Sequence, residues 1–233
     1  MAKKKEFFPA LLQFLKRLFL FLFVFHLFYI ILLKWVNPPV TLTQLGSLLS
    51  GRGLKRDYVD IKNMSTYAKL AMISAEDQLF PDHNGFDWKN IRKAREFNKK
   101  KPGRIRGAST ISQQVAKNVF LWQDRTYFRK GLEAYFTFMI ELIWGKKRIL
   151  EMYLNVSEMG PGVFGIEAAS QKFFRKKAKK LTRQEASMIA ACMRNPKKDT
   201  VIPLSRGVAV RYPLVMRQMR NLQEDPDVQG LIQ

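Results

Sequence analysis

The sequence predicts a mainly α-helical protein with one membrane-spanning helix near its N-terminus. Three observations carry that expectation. Apolar residues recur at helical spacing in one segment after another, alternating strand patterns are few, and residues 18–33 form an uncharged, almost wholly apolar run between Arg17 and Lys34. With 233 residues, 47% of them hydrophobic, there is material for one well-buried domain and a small appendage, and no internal repeat divides it. The expected division is a cytoplasmic basic N-terminus over residues 1–17, a transmembrane helix over 18–36, a juxtamembrane connection over 37–64 and the main domain over 65–233.

The N-terminal element rests on composition. Residues 1–36 hold eight of the eighteen phenylalanines. As a helix the sixteen apolar residues span about 24 Å against a hydrocarbon core of about 30 Å, a gap that snorkelling by Arg17 and Lys34 and an interfacial Trp35 would close. No small-x-small cleavage site follows, which argues against a signal peptide. Lys3, Lys4, Lys5, Lys16 and Arg17 precede the span against Glu6 alone, so the positive-inside bias keeps the N-terminus cytoplasmic. Asn37-Pro38-Pro39 ends the helix.

The chain carries a net charge of +22, and removing the +5 of residues 1–36 leaves +17 on the rest. So basic a domain points to nucleic acid, an anionic membrane surface or an anionic substrate. Cys192 is the single cysteine, which excludes an intramolecular disulfide and a thiolate cluster, and His26 and His83 supply too little imidazole for a zinc site.

Residues 66–79 read as a helix capped by Ser65 or Thr66, with Glu76 and Asp77 near its C-terminal end, followed by a loop at Pro81–Gly85. Carboxylates there oppose the helix macrodipole, so they answer to function or to loop-fixing hydrogen bonds. Residues 89–106 hold nine basic residues against one acidic one, and Lys99–Gly103 reads as an exposed loop suited to anionic headgroups. In a helix over 110–119, Thr110, Gln113, Gln114 and Lys117 share one stripe, as a polar anionic ligand requires, while Ile111, Val115 and Val119 face the core. Arg125, Arg129, Lys130 and Glu133 then precede a run, AYFTFMIELIW, too apolar all round for a surface helix. An Arg129–Glu133 surface pair is the plainer reading, but it leaves the concentration of cations unexplained.

Residues 146–155 and 166–174 read as helices separated by Gly160, Gly162 and Gly165, whose spacing implies close backbone packing. Residues 171–183 carry seven basic residues and no acidic one. A helix over 182–193 starts with Glu185 at capping-box spacing from Thr182, Arg194-Asn195-Pro196 stops it, and a last helix falls near 214–222.

Five segments occur in order: EDQLFPDHNGFD at 76–87, GASTISQQ at 107–114, RKGLE at 129–133, ILEMYLN at 149–155 and RNP at 194–196. Together they resemble the five motifs of the peptidoglycan glycosyltransferases, glycosyltransferase family 51. With no SxxK or KTG pattern, the chain is similar to the monofunctional members. The resemblance implies a lysozyme-like helical domain with a small membrane-proximal jaw lobe. It also implies polymerisation of lipid II on the outer face of the cytoplasmic membrane, without transpeptidase activity.

The same resemblance assigns roles. Glu76 matches the general base for the acceptor sugar's 4-hydroxyl, and Glu133 the second catalytic glutamate, a ligand for a divalent cation, Mg²⁺ or Mn²⁺, at the donor diphosphate. Lys117, Arg125, Arg129 and Lys130 match positions near that diphosphate. Ser109, Thr110, Gln113 and Gln114 match the polar wall of the cleft, and Asp77, Phe80, His83 and Asn118 match further substrate-binding positions. Leu132 stands where some relatives have a lysine, and Ser112 replaces a more usual threonine. The implied partners are lipid II, the growing glycan strand, membrane lipids and cell-wall synthesis or division proteins, with no nucleic acid.

Displacement at C1 of a sugar diphosphate needs a base for the incoming hydroxyl and positive charge for the leaving group, and this residue set supplies both. A lysozyme-like hydrolase would need neither membrane span nor cations. A basic membrane-anchored binding protein would explain the charge but not Glu76 and Asp77.

Overall fold

The computed structural model describes residues 3–101, 103, 106–124 and 126–233. They form two compact units, Met1–Asn37 and Pro38–Gln233. The first is helix α1 (Lys3–Leu32). Its portion Pro9–Leu32, 24 residues with Lys16 and Arg17 inside it, is long and apolar enough to cross a membrane. At 1.5 Å per residue it reaches about 36 Å, which covers the hydrocarbon thickness that sixteen residues alone would not.

In the second unit come α2 (Leu42–Leu49), α3 (Thr66–Glu76), α4 (Trp88–Lys100), α5 (Ile111–Phe120), α6 (Tyr127–Ile143), α7 (Lys146–Val156), α8 (Ile166–Phe174), α9 (Arg183–Cys192), α10 (Arg206–Leu222) and α11 (Pro226–Ile232). A small sheet joins β1 (Lys55–Arg56), β2 (Glu158–Gly160) and β3 (Val163–Phe164) in the order β1-β3-β2. β1 runs parallel to β3, with Lys55 opposite Val163, and β2 runs antiparallel to it. The mainly α expectation holds. The segment 37–64, read as a connection, instead contributes α2 and β1 to the large unit.

The central element is α3. Ser65 caps it by accepting from the Tyr67 amide, and every residue from Ala68 to Ser74 is buried. A helix enclosed on all sides cannot be amphipathic, so its position in the middle of the domain follows from its composition. It packs on α9, α10 and α7, where Ile149, Leu150, Met152, Tyr153, Ile189 and Ala190 are fully buried. Each large apolar side chain removed from water there contributes about 1.5–3 kcal/mol. Two glycines close the packing as their spacing implied. Gly162, at φ 67°, sits against the Arg52 carbonyl, and at Gly165, at φ 87°, a Cβ would lie 2.6 Å from the Asn155 oxygen.

Three expectations change. α3 stops at Glu76 rather than residue 79, because Asp77 leaves helical geometry as the C-cap. Lys99 and Lys100 form the last turn of α4 instead of a loop, where their charge complements the macrodipole. Most unexpectedly, α6 is not buried all round. It encloses Arg129, Glu133, Thr137 and Ile140 and exposes Phe128, Tyr135, Phe138 and Leu142. The run looked uniformly apolar because the polar inward positions are spaced a turn apart among the outward apolar ones.

Candidate active site

The cleft begins where α3 ends. Glu76 points to α5 and α10: Gln114 Nε2 donates to its Oε2 at 2.9 Å, and Arg211 Nη2 lies 3.6 Å from Oε1 while donating to the Ala75 carbonyl at 3.3 Å. Burial pushes the Glu76 carboxyl above the usual range. The Gln114 hydrogen bond, Arg211 and Lys117 pull it back, and Asp77 adds to the rise. A carboxylate so placed takes up a proton more readily than one in water.

Asp77 is buried beside Glu76. It accepts from the Ile111 amide at 2.9 Å and pairs with His83 Nε2 at 3.0 Å. The Ile111 amide belongs to the first turn of α5, so a carboxylate unfavourable at the end of one helix is favourable at the start of the next. Thr110 and Gln113 form a capping box on that same α5, and Thr110 Oγ1 donates to the Gly85 carbonyl at 2.6 Å. Phe80 is wholly buried, with the Lys146 ammonium 4.6 Å over its ring and His83 edge-on. Asp77, Phe80, His83, Thr110 and Gln113 were all expected on the substrate's side. In this structure Phe80 and His83 build the loop, while Asp77, Thr110 and Gln113 both fix the start of α5 through hydrogen bonds and line the cavities beside Glu76 and Lys130.

Beyond Gln114, Lys117 is half-buried on α5 and faces the cluster on α6. There Glu133, 2% exposed, accepts from Arg129 at 2.8 Å and from Lys130. Burial lowers the Lys117 pKa, Glu133 opposes that, Arg129 and Lys130 add to it, and Glu76 opposes it weakly. Lys117 thus feels both carboxylates and links the two ends of the site. The Arg129–Glu133 pair is buried rather than a surface pair, behind Lys130, its more exposed cation, which lines a cavity.

Three cavities share walls. One of about 420 Å³ is lined by Glu76, Asn90, Ser109, Gln114, Arg194 and Arg211. Ser109 also borders an apolar hollow of about 750 Å³ with Ile91, Ala94, Tyr127 and Lys130. Gln114 also borders a small one of about 170 Å³ with Lys117, Asn118 and Gln123. Ser109, Gln114, Lys117, Asn118, Lys130 and Glu76 therefore face the cleft as expected, as do Asp77 and Thr110 in the first cavity and Gln113 in the second, while Arg125 lies outside the described residues. Sequence reading missed Arg211. Its signal was a cation in register with the buried Val208, Val215 and Met219 of α10.

The site does not fit a resident divalent metal. Glu133 has both oxygens engaged by cations, and no group of three or more His, Cys, Asp or Glu side chains converges among the described residues.

Residues 42–220 match the family model described as Transglycosylase. Proteins named biosynthetic peptidoglycan transglycosylase are similar over most of the chain. One from Shigella boydii is 51% identical over 173 residues, 74% of this chain and 72% of the relative. Another, from Shewanella oneidensis, is 44% identical over 214 residues, 90% of this chain and 91% of the relative.

Proposed function

Because the chain belongs to the transglycosylase family, we propose that it is a peptidoglycan glycosyltransferase that polymerises lipid II by inverting β-1,4 transfer, releases undecaprenyl diphosphate and has no transpeptidase activity. The observation that carries this reading is one cleft holding a desolvated carboxylate, Glu76, and a cation, Lys117, that feels both it and the Glu133 cluster. A base and a countercharge for a leaving diphosphate are what the reaction needs.

The acceptor's 4-hydroxyl oxygen attacks C1 of the donor sugar and passes its proton to Glu76. The bond from C1 to the diphosphate oxygen breaks, its electron pair stays on that oxygen, and C1 inverts. Lys117 and Lys130 meet the charge that gathers there, with Arg129 holding Glu133 in place. Glu76 then returns its proton to water. Gln114 orients the carboxylate throughout.

A divalent cation, Mg²⁺ or Mn²⁺, enters the proposal only as a companion of the bound diphosphate, since both Glu133 oxygens already meet cations, and no step runs through it. Calorimetry of the protein without lipid II should detect no stoichiometric Mg²⁺ or Mn²⁺ binding. A tight site in the substrate-free protein would contradict this.

The apolar outward face of α6 and the cations of α4 support contact with membrane lipids. Cytoplasmic placement of the N-terminus, with catalysis outside, rests on the basic residues before the span. Division or elongation proteins remain proposed partners, and no nucleic acid is among them. Incubating the purified protein with labelled lipid II tests the function. Long glycan supports it, while no polymer, or shortening of supplied glycan, would replace it with a binding protein or a hydrolase.

A further inference from the structure

At the opposite end of α3 from Glu76 lies a second basic feature. Eleven helical residues place it about 16 Å from the catalytic end. There Ser65, the cap of α3, and Thr182, the cap of α9, open into a pocket of about 890 Å³ lined also by Lys62, Lys69, Lys179 and Lys180. No Asp or Glu side chain is among its described lining residues, and Gln233 borders it on one side.

Lys69 is the telling member. It is 4% exposed, and among the described residues no hydrogen bond or ion pair engages its ammonium. A largely enclosed ammonium without an ion-pair partner, open only toward this pocket, marks a place suited to an anion. Burial and Lys147 push its pKa down. Nearby carboxylates are committed elsewhere: Glu185 to Lys176 at 2.6 Å and to Thr182, and Glu167 to the Ala178 amide at 2.6 Å. Arg183 adds a further cation over the Tyr67 ring at 5.2 Å. The N-terminal caps of two helices, Ser65 and Thr182, border the pocket, so partial positive charge adds to that of the lysines, as at sites that hold phosphate.

We infer that this pocket binds a phosphate-type oxyanion, separately from the cleft at Glu76, with Lys69 as the inner contact and Lys179 and Lys180 at the rim. The anion has two sources with one chemistry, free phosphate or phosphomonoester in solution and the headgroup of an anionic phospholipid.

The test reads acylation of Lys69 by an amine-reactive reagent, mapped by mass spectrometry, on the full chain in nanodiscs. One arm adds inorganic phosphate to neutral-lipid discs against chloride at equal ionic strength. The other compares phosphatidylglycerol discs with neutral ones in the absence of phosphate. Labelling of Lys69 should fall about fivefold or more near saturation in one arm, and the arm that responds identifies the source. The exposed double variant Lys179→Gln/Lys180→Gln should lose that protection. Unchanged labelling in both arms, or protection that persists in the double variant, overturns the inference.

Discussion

Glu76 owes its reactivity to neighbours on three helices. Burial raises its pKa, while Gln114 and Lys117 from α5 and Arg211 from α10 hold the rise in check; the hydroxyl pKa of Tyr153 on α7 is raised first by its own burial and then by Glu76. In the proposed role Glu76 must be ionised to act, so activity should be lost as pH falls through its pKa. Removing Arg211 raises that pKa further. Arg211→Gln should therefore move the acid limb of the kcat/KM profile to higher pH, and a limb that stays in place would reduce Arg211 to a structural tie to the Ala75 carbonyl. Glu76 was legible in the sequence because a carboxylate at a helix C-terminus opposes the macrodipole, and Gln114 and Lys117 because an amide and an ammonium share one helical stripe apart from the core-facing residues. Arg211 was not, since it comes from a distant helix and only the fold brings it to Glu76.

At the level of elements, the first turn of α5 decides how well the site is held. Asp77 meets the Ile111 amide, Thr110 and Gln113 cap the helix reciprocally, and Thr110 reaches the Gly85 carbonyl. Thr110→Ala should cost about 0.5–2 kcal/mol from the cap, more with the lost Gly85 bond, while Thr110→Ser should recover most of it. Thermal unfolding of the two variants checks this; equal midpoints for parent and Thr110→Ala would contradict the capping role. The T-x-x-Q signature was present in the sequence, but the same residues also matched a ligand-facing stripe. Helical spacing alone does not show that side chains bordering the cleft also fold back on their own backbone, as Thr110 and Gln113 do. The reading of α6 failed for a related reason, because an apolar run does not say which side holds the protein.

For the whole molecule, the large unit combines an apolar face on α6 with a basic α4. A chain truncated before Leu42 lacks the spanning helix yet should still bind liposomes. Binding should strengthen with anionic lipid, weaken with salt, and fall further in Phe138→Ser/Leu142→Ser at every salt concentration. Binding indifferent to lipid charge, salt and this double variant would remove the membrane-facing role. The fold class and the spanning helix were readable from periodicity and composition, which act locally. The union of residues 42–56 with the catalytic unit was not, because β1 pairs with a strand more than a hundred residues away.

The central claim is that Glu76 takes the acceptor's proton inside a cleft that holds the leaving diphosphate. Its most direct test is the steady-state rate of lipid II polymerisation by purified Glu76→Gln, which keeps the shape of the side chain and removes the base. Turnover should fall by about 10²–10⁴ with thermal stability retained. Polymerisation at the parental rate by the same variant would contradict the account.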